Sequence, residues 1–310
     1  MFANKSIKRI VLSMKRILLF IIIISHLFVS DINSQNLLNQ KKINNERMLL
    51  VMGGLTVTLA GSYYYAKNTW WTGESGKFHF DNGPDFTYAL NVDKAGHFIG
   101  GLQSSDMLSS ALKWSGMKER QALWYGAMYG TGLQFAIEMK DGYATYWGFS
   151  KWDLILGSSG SFWPIAQEYL HFCRAFDFKL SYWKRSNIYW ELEAQRGKYP
   201  SKFAWHEDYP NQTYWLSADI NRFLKQDWWP DYIYVAFGFG LNDKQYLDKE
   251  SRKIGGRNEF YIALDYNIPK LLSRYNTPLA NSIKHWMNYI KLPSPTIQIS
   301  PSFEFYPFFL

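Results

Sequence analysis

The chain has 310 residues, a formal net charge of +8 from 34 Lys and Arg against 26 Asp and Glu, and aromatic and charged shares of 19% each. It is too aromatic and too sparsely charged for a disordered chain, and long enough for one large or two small domains. Its single cysteine, Cys173, excludes an intrachain disulfide and any cysteine-based zinc site.

The amino terminus reads as an export signal. Lys5, Lys8, Arg9, Lys15 and Arg16 precede the apolar run Ile17 to Ser30, and no acid lies among residues 1–16. A run of that length suits the apolar core of a signal peptide and is short for a membrane span. Residues 1–34 are therefore expected to be a signal peptide or signal anchor, with cleavage near Ser34. No cysteine lies near that run, so a lipid-modified amino terminus is not expected. A second apolar stretch, Met48 to Ala66, carries no charge and is bracketed by Arg47 and Lys67. It is long enough to span a bilayer as a helix, with Tyr63, Tyr64, Tyr65, Trp70 and Trp71 as an interfacial aromatic cluster. The alternative is a buried helix of a soluble bundle, because Gly53, Gly54 and Gly61 dilute the apolar run.

Residues 68–91, punctuated by Gly73, Gly76, Gly83 and Pro84, read as a loop. Three helices follow: Val92–Trp114, Lys118–Lys140 and Trp152–Phe172. Ser150 is the expected cap of the third, and Pro164 is able to kink it. Gly126 and Gly130 on the second, and Gly157 and Gly160 on the third, make small-residue faces that let helix backbones approach closely. After Phe176 residues 177–212 are irregular. Period-2 alternation then marks strands at Tyr214–Ile220, Tyr232–Leu241, Glu259–Ile268 and Thr296–Tyr306, and Leu279–Tyr289 suits a short amphipathic helix. The expected fold class is α+β: a membrane-associated helical core over residues 35–176, then a mainly antiparallel β region over 177–310. Four strands are too few for a membrane barrel, whose smallest members need about eight.

One constellation can carry chemistry. Asp93 and His97 are four apart on the first of the three helices, and Lys94 lies beside them. Glu138 and Asp141 are three apart at the end of the second, and Ser150 and Asp153 open the third. In an up-down bundle these groups converge at one end. Carboxylates with an imidazole suit Mg²⁺, Mn²⁺ or Zn²⁺, or acid–base work. Against a metal, no second histidine stands at i+3 or i+4. The structural alternative is a network of caps and ion pairs, with Glu138 paired to Lys94 or Lys140 and His97 a satisfied core residue. Asp93, His97, Glu138, Asp141 and Asp153 are the candidate site residues. His79, in the preceding loop, could close over them. No nucleotide-binding loop, GxSxG or HExxH motif occurs, no cofactor is expected, and the scattered basic residues argue against nucleic acid.

This constellation also carries a family resemblance. The order DK-x-x-HF (Asp93, Lys94, His97, Phe98), E-x-x-D (Glu138, Asp141) and S-x-x-D with a following glycine (Ser150, Asp153, Gly160) resembles the YfiM-like family, a domain of unknown function in predicted periplasmic or envelope proteins. It is also faintly similar to VanZ-like membrane proteins. The resemblance covers about residues 88–170. Residues 207–217 look like the carboxy-terminal extension of larger members. Gly157 stands where the family often has Asp or Asn, and the lipoprotein cysteine of some relatives is absent. The resemblance implies an envelope location and a helical membrane-associated core, and brings no established activity. The expectation is an exported, membrane-associated envelope protein that contacts membrane lipid, structural or binding in role. The alternatives are a lipid- or glycan-processing enzyme using the cluster, or an outer-membrane β protein.

Overall fold

The computed structural model describes residues 43–71, 75–81, 83–200, 204–224 and 228–310. The expected leader, residues 1–34, lies outside the described residues. The chain is α+β, a helical amino-terminal region followed by a mostly antiparallel six-stranded sheet. It divides into two compact units. Of the described residues, one unit holds 43–65 and Ala111–Lys118, and the other holds Ala66–Ser110 and Glu119–Leu310.

In the first unit the main element is most of helix α1 (Asn45–Thr69). The Asn44 side chain accepts from the Arg47 N–H at 2.9 Å, closing the first turn. The Asn44 N–H donates to the Ser115 carbonyl, and the Arg47 guanidinium lies over the Trp114 ring. Met48 and Val51 are buried, whereas Leu49, Leu50 and Val57 are exposed. This helix is long and apolar enough to cross a membrane, by length and composition.

The second unit contains the sheet and the other helices. A short helix α2 (Pro84–Thr87) and a 3₁₀ turn (Tyr88–Asn91) lead into α3 (Val92–Trp114), whose residues to Ser110 belong here. Helices α4 (Glu119–Asp141) and α5 (Lys151–Tyr169) follow. All three longer helices start and end within three residues of the sequence expectation, which rests on cap residues and the turns Ser115-Gly116 and Asp141-Gly142. Small residues set how closely they pack. A Cβ on Gly160 would fall 1.9 Å from the Phe98 carbonyl oxygen, and one on Gly101 2.0 Å from that of Gly157. The backbones of α3 and α5 therefore touch only because these positions carry no side chain. Leu123, Ala127 and Ile165 fill the seam between α4 and α5.

The sheet runs in the order β1-β2-β3-β6-β7-β8, each neighbour antiparallel, with β4 (Gln245–Leu247) and β5 (Lys253–Gly255) as a separate hairpin. Its strands are β1 (Phe176–Tyr182), β2 (Gln212–Ala218), β3 (Ile233–Leu241), β6 (Asn258–Tyr266), β7 (Ser294–Ser300) and β8 (Glu304–Phe309). Its outer strands β1 and β8 are not neighbours, so among the described residues the strands do not close a barrel, and the outer-membrane β reading is unsupported. Successive side chains point to opposite faces. Tyr214 thus joins Ala89, Val92, Ile99 and Leu241 in a core shared with the start of α3, while its neighbour Trp215 packs with Ala236, Tyr261 and Ala263 on the other face.

Four expectations need correction. The loop expected over residues 68–91 is helical from Pro84 to Asn91, as α2 and the 3₁₀ turn. The stretch 177–212 is not irregular throughout: it holds β1 and helix α6 (Ile188–Gln195). The strand alternates, with Phe178 and Leu180 packed against the core around Tyr214 on one face, while on the other Lys179 meets Asp265 at 2.7 Å with neither side chain exposed, so both faces are covered. The expected strand Thr296–Tyr306 is two, β7 and β8, broken at Pro301, which cannot donate to a ladder. The connection Asn242–Asn258 contains the β4–β5 hairpin. Helix α7 (Ile220–Leu224), α8 (Ile268–Leu271) and the expected amphipathic helix, α9 (Pro278–Met287), complete the unit.

A carboxylate and histidine pocket

The site begins with a strained turn. Ala89, Leu90 and Asn91 have φ of +46°, +46° and +67°. Left-handed backbone costs a non-glycine residue about 1–2 kcal/mol. Here the cost is met by burial, since Ala89 and Val92 are fully enclosed, and by the Asn258 side chain, which donates to the Leu90 carbonyl at 3.0 Å. The reversal between α2 and α3 lays Asp85 over Lys94.

Lys94 is the hub of a first group. Its ammonium lies 2.7 Å from Asp85 Oδ1, 3.3 Å from Asp153 Oδ1 and 3.5 Å from Asp93 Oδ2. Burial opposes its charge, but Asp93, Asp153 and Asp85 outweigh that and hold its pKa above the ordinary lysine value. Asp85 Oδ2 accepts from the Ser150 hydroxyl at 3.0 Å, and Ser150 Oγ in turn caps α5 by accepting from the Asp153 N–H at 3.1 Å. Asp153 therefore sits in the first turn of α5, where the helix dipole favours a negative charge.

His97 is the hub of a second group. Its Nδ1 lies 2.9 Å from Gln134 Oε1. An amide oxygen only accepts, so Nδ1 carries the proton, and in the neutral ring Nε2 is left with its lone pair. Nε2 faces Asp153 Oδ2 at 3.9 Å, and Nδ1 stands 3.9 Å from Glu138 Oε1, both too long for hydrogen bonds. Glu138 is fixed through its other oxygen, Oε2, which accepts the Ser150 N–H at 2.8 Å. Gln134, Glu138 and Asp141 share one face of α4. Asp141 Oδ1 accepts from the Trp71 indole at 2.7 Å.

Burial dominates the electrostatics. Burial and then Asp153 push the Asp93 carboxyl up to about 7. Burial pushes Glu138 up to about 8, with His97 opposing, and Asp141 up to about 6, against its bond from Trp71. Burial works against the His97 imidazolium, but Asp153, Glu138 and the Gln134 contact prevail and raise its pKa. Asp93 Oδ1 is buried and accepts no hydrogen bond.

These groups border a cavity of about 340 Å³ within the second unit. Its floor includes Asp93, His97, Gln134, Glu138, Asp141 and Asp153, and its walls include Trp70, Tyr88, Tyr146, Trp147, Trp205 and Tyr209. On the far side Lys253, from β5, pairs with Glu193 at 2.9 Å, and burial lowers its pKa. There Glu207 accepts from the Tyr189 hydroxyl at 2.8 Å and from the Trp70 indole. Burial raises the Glu207 carboxyl, but His206, Lys253 and Tyr189 prevail and bring it down to about 2.

The five candidate residues all border this cavity. Asp93, His97, Glu138 and Asp153 lie within one network, while Asp141 is held apart by Trp71. Glu138 pairs with neither Lys94 nor Lys140: Lys94 is taken by the three aspartates, and Glu138 by the Ser150 backbone. His79 does not border the cavity, its ring lying against the Lys77 and Trp147 carbonyls instead. Sequence reasoning missed Asp85 and Gln134. Gln134 was within reach of it, being four residues before Glu138 on the same helix face. Asp85 was not, because only the left-handed turn brings it back. Elsewhere Lys291 donates to Ser294 Oγ, a pairing of general-base type, but both side chains are fully enclosed, so no substrate can reach them.

The fold and the pocket together define an α+β protein with a carboxylate–histidine cavity where helices meet a sheet. Residues 80–166, the segment that supplies the cavity floor, match the model of a family described as predicted periplasmic lipoprotein, DUF2279. This is the family that the DK-x-x-HF, E-x-x-D and S-x-x-D motifs resemble. Its description agrees with an exported, cell-envelope location. No curated protein and no solved structure gives a significant match to the chain.

Proposed function

We propose that this is a cell-envelope binding protein whose pocket takes a headgroup-sized polar molecule, a sugar unit or a lipid headgroup. The observation that carries the reading is the cavity itself. A purely structural network would be closed, whereas here Asp93, His97, Glu138 and Asp153 border a space of about 340 Å³. That volume is at the small end of ligand pockets, about 300–1,000 Å³. Carboxylates on the floor accept hydroxyl protons, and the Trp and Tyr walls offer broad apolar faces with polar edges. Helix α1, together with the leader, would tether the protein to a membrane. Large apolar side chains exposed on α4 and α5, among them Trp124, Met128, Phe135 and Ile155, favour the same lipid setting.

Trp70, Trp147 and Trp205 border the cavity, so intrinsic fluorescence reports occupancy. Titration with N-acetylglucosamine oligomers in one arm and short-chain phospholipids in another should give saturable quenching in one arm, weakened by Asp153→Asn. Absence of saturable change in both arms, with the protein folded, would refute the reading.

An enzyme acting on the same ligand is the second reading. It is favoured by the His97 ring, whose Nδ1 is held by Gln134 while Nε2 faces the cavity floor, as in a general base. Chemical turnover of the bound ligand, abolished in His97→Ala while binding persists, would select it.

A further inference from the structure

We propose that His97, Glu138 and Asp153 form a site for one divalent transition-metal ion of the zinc or manganese kind, with Gln134 as a positioning residue. This rests on the pocket reading above and specifies what its floor holds. One donor atom from each of the three residues lies within 4.8 Å of the other two. A tetrahedral edge is about 3.3 Å for metal–ligand bonds of about 2.0–2.1 Å. The 3.9 Å gap between His97 Nε2 and Asp153 Oδ2 closes to that by about 0.6 Å, and Glu138 Oε1, which stands 3.9 Å from the protonated Nδ1, joins by rotating toward the Nε2 side.

Each donor is prepared by a different contact. Gln134 takes the Nδ1 proton of His97 and leaves Nε2 as the ligand atom, the outer-shell arrangement found around metal-bound histidines. The Ser150 N–H takes Glu138 Oε2 and leaves Oε1. Lys94 takes Asp153 Oδ1 and leaves Oδ2. A second set of three carboxylates, Asp85, Asp93 and Asp153, also clusters, but the Lys94 ammonium already sits among them as their cation. The two sets share Asp153, so one already holds the lysine ammonium and the other is open.

Charge and an orphan acceptor point the same way. Among the described residues, Asp85, Asp93, Glu138, Asp141 and Asp153 outnumber the cations beside them at this end of the cavity, Lys94, His97 and, near Asp141, Lys140. A divalent ion offsets that excess. Asp93, only 3% exposed, leaves Oδ1 without a hydrogen-bond donor on the same floor. A metal-bound water is a donor suited to that oxygen. Imidazole with two carboxylates is the ligand chemistry of Zn²⁺ and Mn²⁺ rather than of soft, thiolate-seeking ions.

The test is isothermal titration of the chelator-treated full chain with ZnCl₂ and, separately, MnCl₂. The expected result is one ion per chain for at least one metal, with affinity reduced at least about 100-fold in His97→Ala and Asp153→Asn, and about 10–100-fold in Gln134→Leu. His79→Ala, outside the cavity, should retain full affinity and so exclude a surface histidine as the binder. Circular dichroism and unfolding of each variant without metal establish that it is folded. The proposal is overturned if the folded wild-type chain takes up neither ion at 1 mM, or if His97→Ala binds like wild type. Should that happen while the sugar or phospholipid titration still saturates, the metal site alone falls. Should the metal bind while both ligand arms fail, the pocket reading falls and the ion site stands.

Discussion

Gly157→Ala probes the device that orients His97. A Cβ built on Gly157 would lie 2.6 Å from both Cγ and Cδ of Gln134 and 2.7 Å from its Oε1. These are contacts that real side chains do not tolerate, so Gln134 must move. It is buried, and its Oε1 holds the His97 N–H at 2.9 Å, so it cannot move without breaking that bond. The unmade hydrogen bond costs about 1–3 kcal/mol, and overpacking adds about 1–3 kcal/mol. Against this, alanine gains about 1 kcal/mol over glycine inside a helix. The expected net loss is about 1–5 kcal/mol by urea unfolding, although helix propensity alone predicts a gain. A double-mutant cycle sharpens the test. With Gln134→Ala in place the clash is gone, so adding Gly157→Ala should cost nothing further or stabilise slightly. The ring reports the same event: ¹⁵N shifts of His97, which mark the Nδ1–H form in the wild type at high pH, should move toward a mixture of tautomers. A Gly157→Ala protein at least as stable as wild type, with His97 shifts unchanged, would refute the reasoning.

Lys94→Met leaves Asp85, Asp93 and Asp153 without their shared cation. It should destabilise the chain by about 3–5 kcal/mol at pH 7.5, and by less at pH 4.5, where the stranded carboxylates can take up protons; equal stability in urea at both values would sink the ion-pair account. Gly160→Ala forces a methyl against the Phe98 carbonyl, a rigid backbone atom, and should cost about 3 kcal/mol or more, or prevent folding, as read by thermal unfolding and expression. Glu207, pulled from 4.5 to about 2, stabilises the fold only when ionised. Its contribution is complete above about pH 5 and is lost as pH falls through 4.5 toward 2, amounting to about 3 kcal/mol at most. The stability gap between wild type and Glu207→Gln should therefore shrink steadily from pH 5 to pH 2.5, and a gap that widens on acidification would contradict that assignment.

Much of the helical half was legible in the sequence because local rules govern it. Ser150 caps α5 as its position before S-x-x-D implied, and the glycines of α3, α4 and α5 mark close backbone approach. The meaning of Gly157 was not legible. It read as part of a small-residue face and as a departure from a family pattern; the Gln134 side chain that passes over it from another helix could not be read from spacing. Asp85 and the left-handed residues Ala89, Leu90 and Asn91 stayed hidden because no composition rule expects three non-glycine residues with positive φ in a row. In the second half, β1 alternates with Phe176, Phe178, Leu180 and Tyr182 on one face, but its other face carries Asp177, Lys179 and Ser181, polar groups buried against partners far along the chain. Pairings such as Lys179 with Asp265 cannot be read from spacing.

The central claim is that His97, Glu138 and Asp153 converge on a cavity to hold a ligand rather than only to support one another. Anomalous diffraction at the manganese or zinc edge, from crystals of the full chain soaked in that ion, tests it most directly. A single strong peak beside His97 Nε2, within coordination distance of a Glu138 and an Asp153 oxygen, is the predicted result. Well-ordered crystals with all three side chains in place and no peak among them would contradict it.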